Sequence, residues 1–351
     1  MTRQLQGSWM AHFWKLVSIL LVSFPISTHA GVFDLLTKSN NKPIVLDEKS
    51  DFRSVLAQSA RENNPQFNPR NELIERIGIS AFQIHFVTDS SLSQTKKNIG
   101  SGREARASVE YKLEAPSPEI YQVITDQLLE QFQSELRSRG YEIIPAEELQ
   151  LDADFAKRLS STENIKNREA GFFTKNGAIV VNARGTADTF GIMQGATEMH
   201  LAERFGKGSA MLKVRLQINF ASLEEMGFLE RAVAAADAGI SHKVGLTLDT
   251  TPDSASPSQI SMATSSGLWP RPLMLPIYMN QAIAKKLTKL NESNTEAAIG
   301  FLMSLSGGSS RGSRYVVTPA DDYQQQLEDG LKLVMKVLAE SVPVRQAATK
   351  P

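Results

Sequence analysis

Nine consecutive residues, Leu212 to Phe220, alternate without a break between apolar side chains (Leu212, Val214, Leu216, Ile218, Phe220) and polar ones (Lys213, Arg215, Gln217, Asn219). Successive side chains of a strand point to opposite faces, so this run specifies a strand with one face against a core and one polar face. A chain that contains it must build a two-faced sheet and cover the apolar side. The polar side is expected to meet water or a partner, which makes Lys213 and Arg215 candidate partner-binding residues.

Other segments share the pattern. Phe82, Ile84 and Phe86 alternate with Gln83 and His85, and Ala107, Val109, Tyr111 and Leu113 alternate with Ser108, Glu110 and Lys112. The polar stretch from Asp89 to Arg106 reads as a long loop between those two strands. Ala178-Ile179-Val180-Val181 is apolar at every position, as in a strand covered on both faces, and Ile260-Ser261-Met262 reads as a brief strand.

Covering helices are expected at two places. Ser117 and Pro118 start the first, where Pro fits the first helical position, and Tyr121, Ile124, Leu128, Phe132 and Leu136 recur at helical spacing as far as Arg139-Gly140. Thr318 and Pro319 open the second, with Leu327, Leu331, Val334 and Leu338 as its stripe to Glu340. Further helices are expected over Gln281–Leu290 and Glu296–Leu305. The fold class is therefore α+β: a mixed, mostly antiparallel sheet with long helices packed on one face.

At the amino terminus, Arg3 and Lys15 precede the apolar run Leu16 to Ile26, and small residues lead to Ala30-Gly31. That is the order of a cleavable secretory signal, and the run is about half of the roughly 20 apolar residues a membrane-spanning helix needs. Periplasmic or secreted localisation follows as an expectation, with no stable membrane span after cleavage. The chain contains no cysteine, so neither lipidation at the cleavage point nor a disulfide framework is open to it. Without Arg3 and Lys15 the formal charge of the rest is −2, which gives no basic field for nucleic acid.

The expected organisation is a signal peptide over 1–30, a flexible leader over 31–71 holding one short helix near Asp51–Ala60, and an α/β core over 72–250. A Pro/Ser-rich loop over 251–276, a helical completion of the same domain over 277–340 and a loose tail over 341–351 follow. No internal repeat is present.

Motifs that could carry chemistry fail on context. Gly308-Ser309-Ser310-Arg311-Gly312 spells the hydrolase pattern around a serine nucleophile, but a helix is expected before it and a strand after it, the reverse of what that chemistry requires. Gly100-Ser101-Gly102-Arg103-Glu104-Ala105 matches a dinucleotide fingerprint but leads into a strand and reads as a hairpin loop. Glu198, His200 and Glu203 share one helical face by spacing, so His200 and Glu203 remain candidates for acid/base or metal chemistry beside Ser310. None of the histidines past residue 30, His85, His200 and His242, has metal-ligand spacing, and no cofactor or metal is expected. The segment Leu268 to Pro276 holds three prolines among large apolar residues; its Trp269, Arg271, Leu273 and Met274 are the second candidate docking surface.

The stretch Val109 to Leu149 places a strand, a capped helix ending in Arg139-Gly140, the short strand Tyr141-Glu142-Ile143-Ile144 and a helix opening with Glu147-Glu148-Leu149. It resembles the envelope domains typified by the curli-secretion lipoprotein and the amino-terminal domain of the Tol translocation protein, with Ala210 to Phe220 matching their central strand. The sequence departs from the first in lacking the lipidated cysteine, and no transmembrane hairpin is evident. The resemblance implies a scaffold or accessory role in an envelope assembly, with an envelope protein as partner and no catalytic residues. The functional expectation is an exported, non-enzymatic binding or assembly module; an envelope hydrolase, a metal-dependent enzyme and a small-ligand binder are the alternatives.

Overall fold

A computed structural model of the chain describes residues 44–69, 72–97, 104–169, 177–188, 195–225, 240–248, 258–279, 281, 283–290 and 314–345. These form one mixed sheet of thirteen strands. Its axis is the pair β2 (Arg76–Lys97) and β7 (Ser209–Glu225), which run parallel from Arg76 opposite Ser209 to Phe86 opposite Ile218. The alternating run therefore lies at the centre of the sheet. On its apolar face Leu212, Val214, Leu216, Ile218 and Phe220 join Phe82, Ile84 and Phe86 in the main core, each at most 3% exposed.

Helix α2 (Pro118–Ser138) and helix α6 (Tyr323–Ala339) pack against each other over this core. Tyr121, Ile124, Phe132 and Leu136 of the first and Leu327, Leu331 and Val334 of the second are fully buried. Gly140, at φ +91°, ends the first helix in the left-handed conformation that glycine adopts without strain. The long helices thus share one face, as the periodicity predicts.

Several sequence expectations need correction. The leader expected as flexible is built into the fold over 44–69: β1 (Ile44–Leu46) pairs parallel with β11 (Ile277–Met279), and the short helix expected near Asp51–Ala60 is α1 (Phe52–Ala60), which buries Val55 and Leu56. Few apolar residues suffice there because most are buried, Leu46, Val55, Leu56 and Phe67 among them, while Val45 is 56% exposed. Residues 284–289 form strand β12 (Ala284–Lys289) and not a helix; Ile283, Leu287 and Leu290 sit at helical spacing, but antiparallel pairing with β13 (Arg314–Pro319) overrides it. That same ladder claims Thr318 and Pro319, so α6 begins four residues later, after Asp322. Residues 296–305 lie outside the described part.

Within the loop expected over 251–276, the brief strand expected at Ile260–Met262 is β9 (Gln259–Thr264), and it pairs with a further strand, β10 (Gly267–Pro272), where only loop was expected. The tail is held through residue 345: Ser341 and Val342 are buried, Tyr141 donates its hydroxyl to the Pro343 carbonyl at 2.9 Å, and Arg345 pairs with Glu75 at 2.7 Å.

Two ribbons extend the sheet. Past Asp89, β2 continues to Lys97 paired antiparallel with β3 (Glu104–Leu113), so the loop expected over 89–106 is largely strand. Past Ile218, β7 continues to Glu225 paired with β8 (Ile240–Leu248). Because β2 and β7 are parallel, both ribbons leave by the same end of the sheet; where they part, Asn219 Nδ2 donates to Ser90 Oγ at 3.3 Å. On the far side of each, among the described residues, β3 is paired again only at residues 110–113, with β13, and β8 only at 247–248, with β11. Among the described residues no helix is long and apolar enough to cross a membrane.

Candidate functional site

The polar half of the alternating run is not an open surface. Lys213, Arg215, Gln217 and Asn219 are 7, 8, 1 and 4% exposed. Short helices cover the start of this second face: α3 (Ala146–Leu149), α4 (Ala153–Ser160) and α5 (Gly195–Arg204) enclose a small core of Ile144, Leu149, Phe155, Leu201 and Met211. The expectation of a solvated sheet face, with Lys213 and Arg215 offered to a partner, is thereby corrected. Each of the four polar residues makes further interactions of its own.

Strand order explains what gathers beside them. β6 (Gly177–Asn182) runs antiparallel to β2 and sets Asn182 opposite Gln83 and Val180 opposite His85. β5 (Ile165–Arg168) runs antiparallel to β6 and sets Lys166 opposite Val180 and Arg168 opposite Ala178. Alternation then puts Lys166 and Arg168 on the face that carries Gln83, His85 and, across β2, Arg215.

Their hydrogen bonds fix one another's direction. Asp188 is a pure acceptor: its Oδ2 takes a bond from Lys166 Nζ at 2.8 Å and its Oδ1 one from Gln83 Nε2 at 3.2 Å. Gln83 Nε2 also donates to Asn182 Oδ1 at 2.9 Å, so its Oε1 is the atom facing His85 Nε2 at 2.7 Å, and that nitrogen must carry the proton. Nδ1 of the same ring accepts from Arg168 Nη1 at 2.8 Å. His85 is therefore neutral by geometry. Burial first, then the charges of Arg168 and Arg215, lower its pKa to about 3. Burial also lowers Arg215 to about 10, against the opposing pull of Asp188.

The sequence candidates for catalysis do not converge. Ser310 lies outside the described residues. His200 and Glu203 stand on the outer side of α5 with side chains 75 and 70% exposed and 3.6 Å between Nδ1 and Oε2, whereas Glu198 turns inward, 0% exposed, and accepts from Arg158 Nη1 at 2.9 Å. A cleft of about 650 Å³ runs between α4 and α5 past Asp152, Arg158, His200 and Arg204. Among the described residues no group of three histidine, aspartate or glutamate side chains could hold a metal ion. Replacing His200 by Ala is expected to leave the unfolding free energy within about 0.5 kcal/mol of the parent in urea titrations, since the side chain is held by no buried contact.

The proline-rich segment is also built into the body. Trp269 is half-buried against the main core and Leu273 is fully buried, while Leu268 and Met274 are exposed at 38 and 41%. Arg271 pairs with Glu62, donates to the Gln66 carbonyl and lies over the Phe67 ring at 5.1 Å. This segment fastens residues 62–67 to the sheet. The polar residues that sequence reading did not name as site candidates, Gln83, Arg158, Lys166, Arg168, Asn182 and Asp188, come from strands, a helix and, for Asp188, a loop, far apart in sequence; the usable signals were the alternation of Gln83 and His85 with their apolar neighbours and that of Lys166 with Arg168.

No protein-family model, no curated protein and no solved structure matches this chain.

Proposed function

We propose that the chain is an exported, non-enzymatic assembly module of the cell envelope that joins neighbouring copies along the edges of its two ribbons. The observation that carries this reading is a contrast between edges. Unpaired strand edges template the addition of further strands, and proteins usually block them. On the body, β10 carries Pro270 and Pro272, which have no N–H to offer, and edge strand β12 carries Lys285, Lys286 and Lys289. No proline interrupts the ribbon segments 104–109 of β3 or 240–246 of β8, and among the described residues no further strand pairs with them.

An isolated two-stranded ribbon is marginal in water and gains stability when a third strand adds to it. The two edges differ, so copies that join β3 to β8 pair head to tail, an arrangement that closes into rings when its rotation permits. The export signal and the resemblance to envelope assembly domains agree with this role. The inward turn of Glu198 gives the enzymatic alternatives no support.

The test is cell fractionation with crosslinking, followed by sizing of the purified protein with and without detergent. Envelope-located protein lacking residues 1–30, in species of several copies that Ala107→Pro and Val244→Pro abolish while helical circular dichroism is retained, is the expected result. A strictly monomeric chain that crosslinks to no copy of itself would overturn the assembly reading, and a cytoplasmic protein that keeps residues 1–30 would overturn export.

A further inference from the structure

We propose that Arg168, anchored by His85 on the polar sheet face, binds a small oxyanion: a carboxylate or a phosphate group. The argument starts from what this guanidinium lacks. Its hydrogen bond goes to His85 Nδ1, an atom that carries no negative charge, and its Nε–H is buried with no acceptor among the described residues. Partly buried cations are ordinarily paired with a carboxylate.

Asp188, the carboxylate of this network, is already engaged by Lys166 and Gln83. Lys166 bonds that carboxylate and Arg215 lies within reach of its charge, while Arg168 lies near enough to Arg215 to repel it. With Nη1 committed to His85, the Nε and Nη2 edge of Arg168 is left, the edge through which a guanidinium grips two oxygens of a planar or tetrahedral anion. The ring of His85, fixed in turn by Gln83, sets the plane of the fork. β5 pairs with β6 alone among the described strands, so Arg168 sits at a margin of the sheet and is only partly buried, which gives a ligand an approach.

The experiment is thermal unfolding of the purified mature chain in inorganic phosphate or in acetate, each compared with chloride at equal ionic strength. A saturable rise in Tm is expected with one or both anions; a response to phosphate alone assigns a phosphate group, and one to acetate a carboxylate. Arg168→Gln keeps a donor for His85 but removes the fork and the charge, and is expected to weaken the half-saturation concentration by about ten-fold or more. A second readout needs no substitution: the ring 15N resonances of His85 should move with the same half-saturation. No saturable rise with either anion, an undiminished response in Arg168→Gln, or a His85 ring that stays unmoved as Tm rises would each overturn the proposal.

Discussion

Between pH 7 and pH 4.5 the protein is expected to lose about 3 kcal/mol of stability that a His85→Gln variant does not lose. The sign follows from the proton count. His85 stays neutral in the folded chain down to about pH 3, whereas in the unfolded chain it takes a proton near its ordinary value of 6.5. Between those two values the unfolded state binds the extra proton, so stability is full above pH 6.5 and declines as pH falls, by about 1.4 kcal/mol per unit, until the folded ring also titrates near 3. The geometry gives the same answer without the pKa, since protonating Nδ1 would set a second donor against Arg168 Nη1 at 2.8 Å.

Gln can present an amide nitrogen to Gln83 and has nothing to titrate. The comparison is urea unfolding of both proteins at the two pH values. Equal losses would show that His85 is protonated, or solvated, in the folded chain and would remove the basis for the directed chain of hydrogen bonds from Arg168 to Asp188.

The same polar face shows how far the sequence could be read. The alternation at Leu212–Phe220 identified a central strand and its core side, and the helical stripes at Tyr121–Leu136 and Leu327–Leu338 identified what covers that side. Alternation separates two faces but is silent about what lies over the polar one. A lysine or arginine reads as solvated until a partner from elsewhere in the chain is known, and here Arg158, Lys166 and Asp188 arrive from segments more than twenty residues away in sequence. Short elements failed for a related reason. Ile283, Leu287 and Leu290 fit a helix locally, and only pairing with β13 decides for a strand. Outside its helix the amino-terminal leader was read as flexible because Leu46 and Phe67 stand in no period, although both are buried. Of the candidate sites, the sequence supplied Lys213 and Arg215 with the right face and the wrong environment.

Arg158→Met is expected to cost about 3–5 kcal/mol, far more than any change on the outer face of α5. Glu198 is fully buried and Arg158 Nη1 is its hydrogen-bond donor, while its second carboxylate oxygen has none. Removing the arginine strands a carboxylate where water cannot reach it. Glu198→Gln should cost less, about 1–3 kcal/mol, because the amide still accepts from Arg158, whose side chain is 20% exposed and can share its charge with solvent. The pair has a third member: the Glu198 charge favours the protonated form of Lys213, which burial disfavours.

A double change, Arg158→Met with Glu198→Leu, removes both charges and should recover part of the single-mutant loss, since an apolar pair of similar volume is often as stable as the ion pair it replaces. Recovery should be incomplete, because Lys213 then lacks that nearby carboxylate. Urea unfolding of the four proteins gives the coupling energy directly. If Arg158→Met lies within about 0.5 kcal/mol of the parent, the pair does not join α4 to α5, and the small core of Phe155, Leu201 and Met211 must hold those helices on the sheet alone.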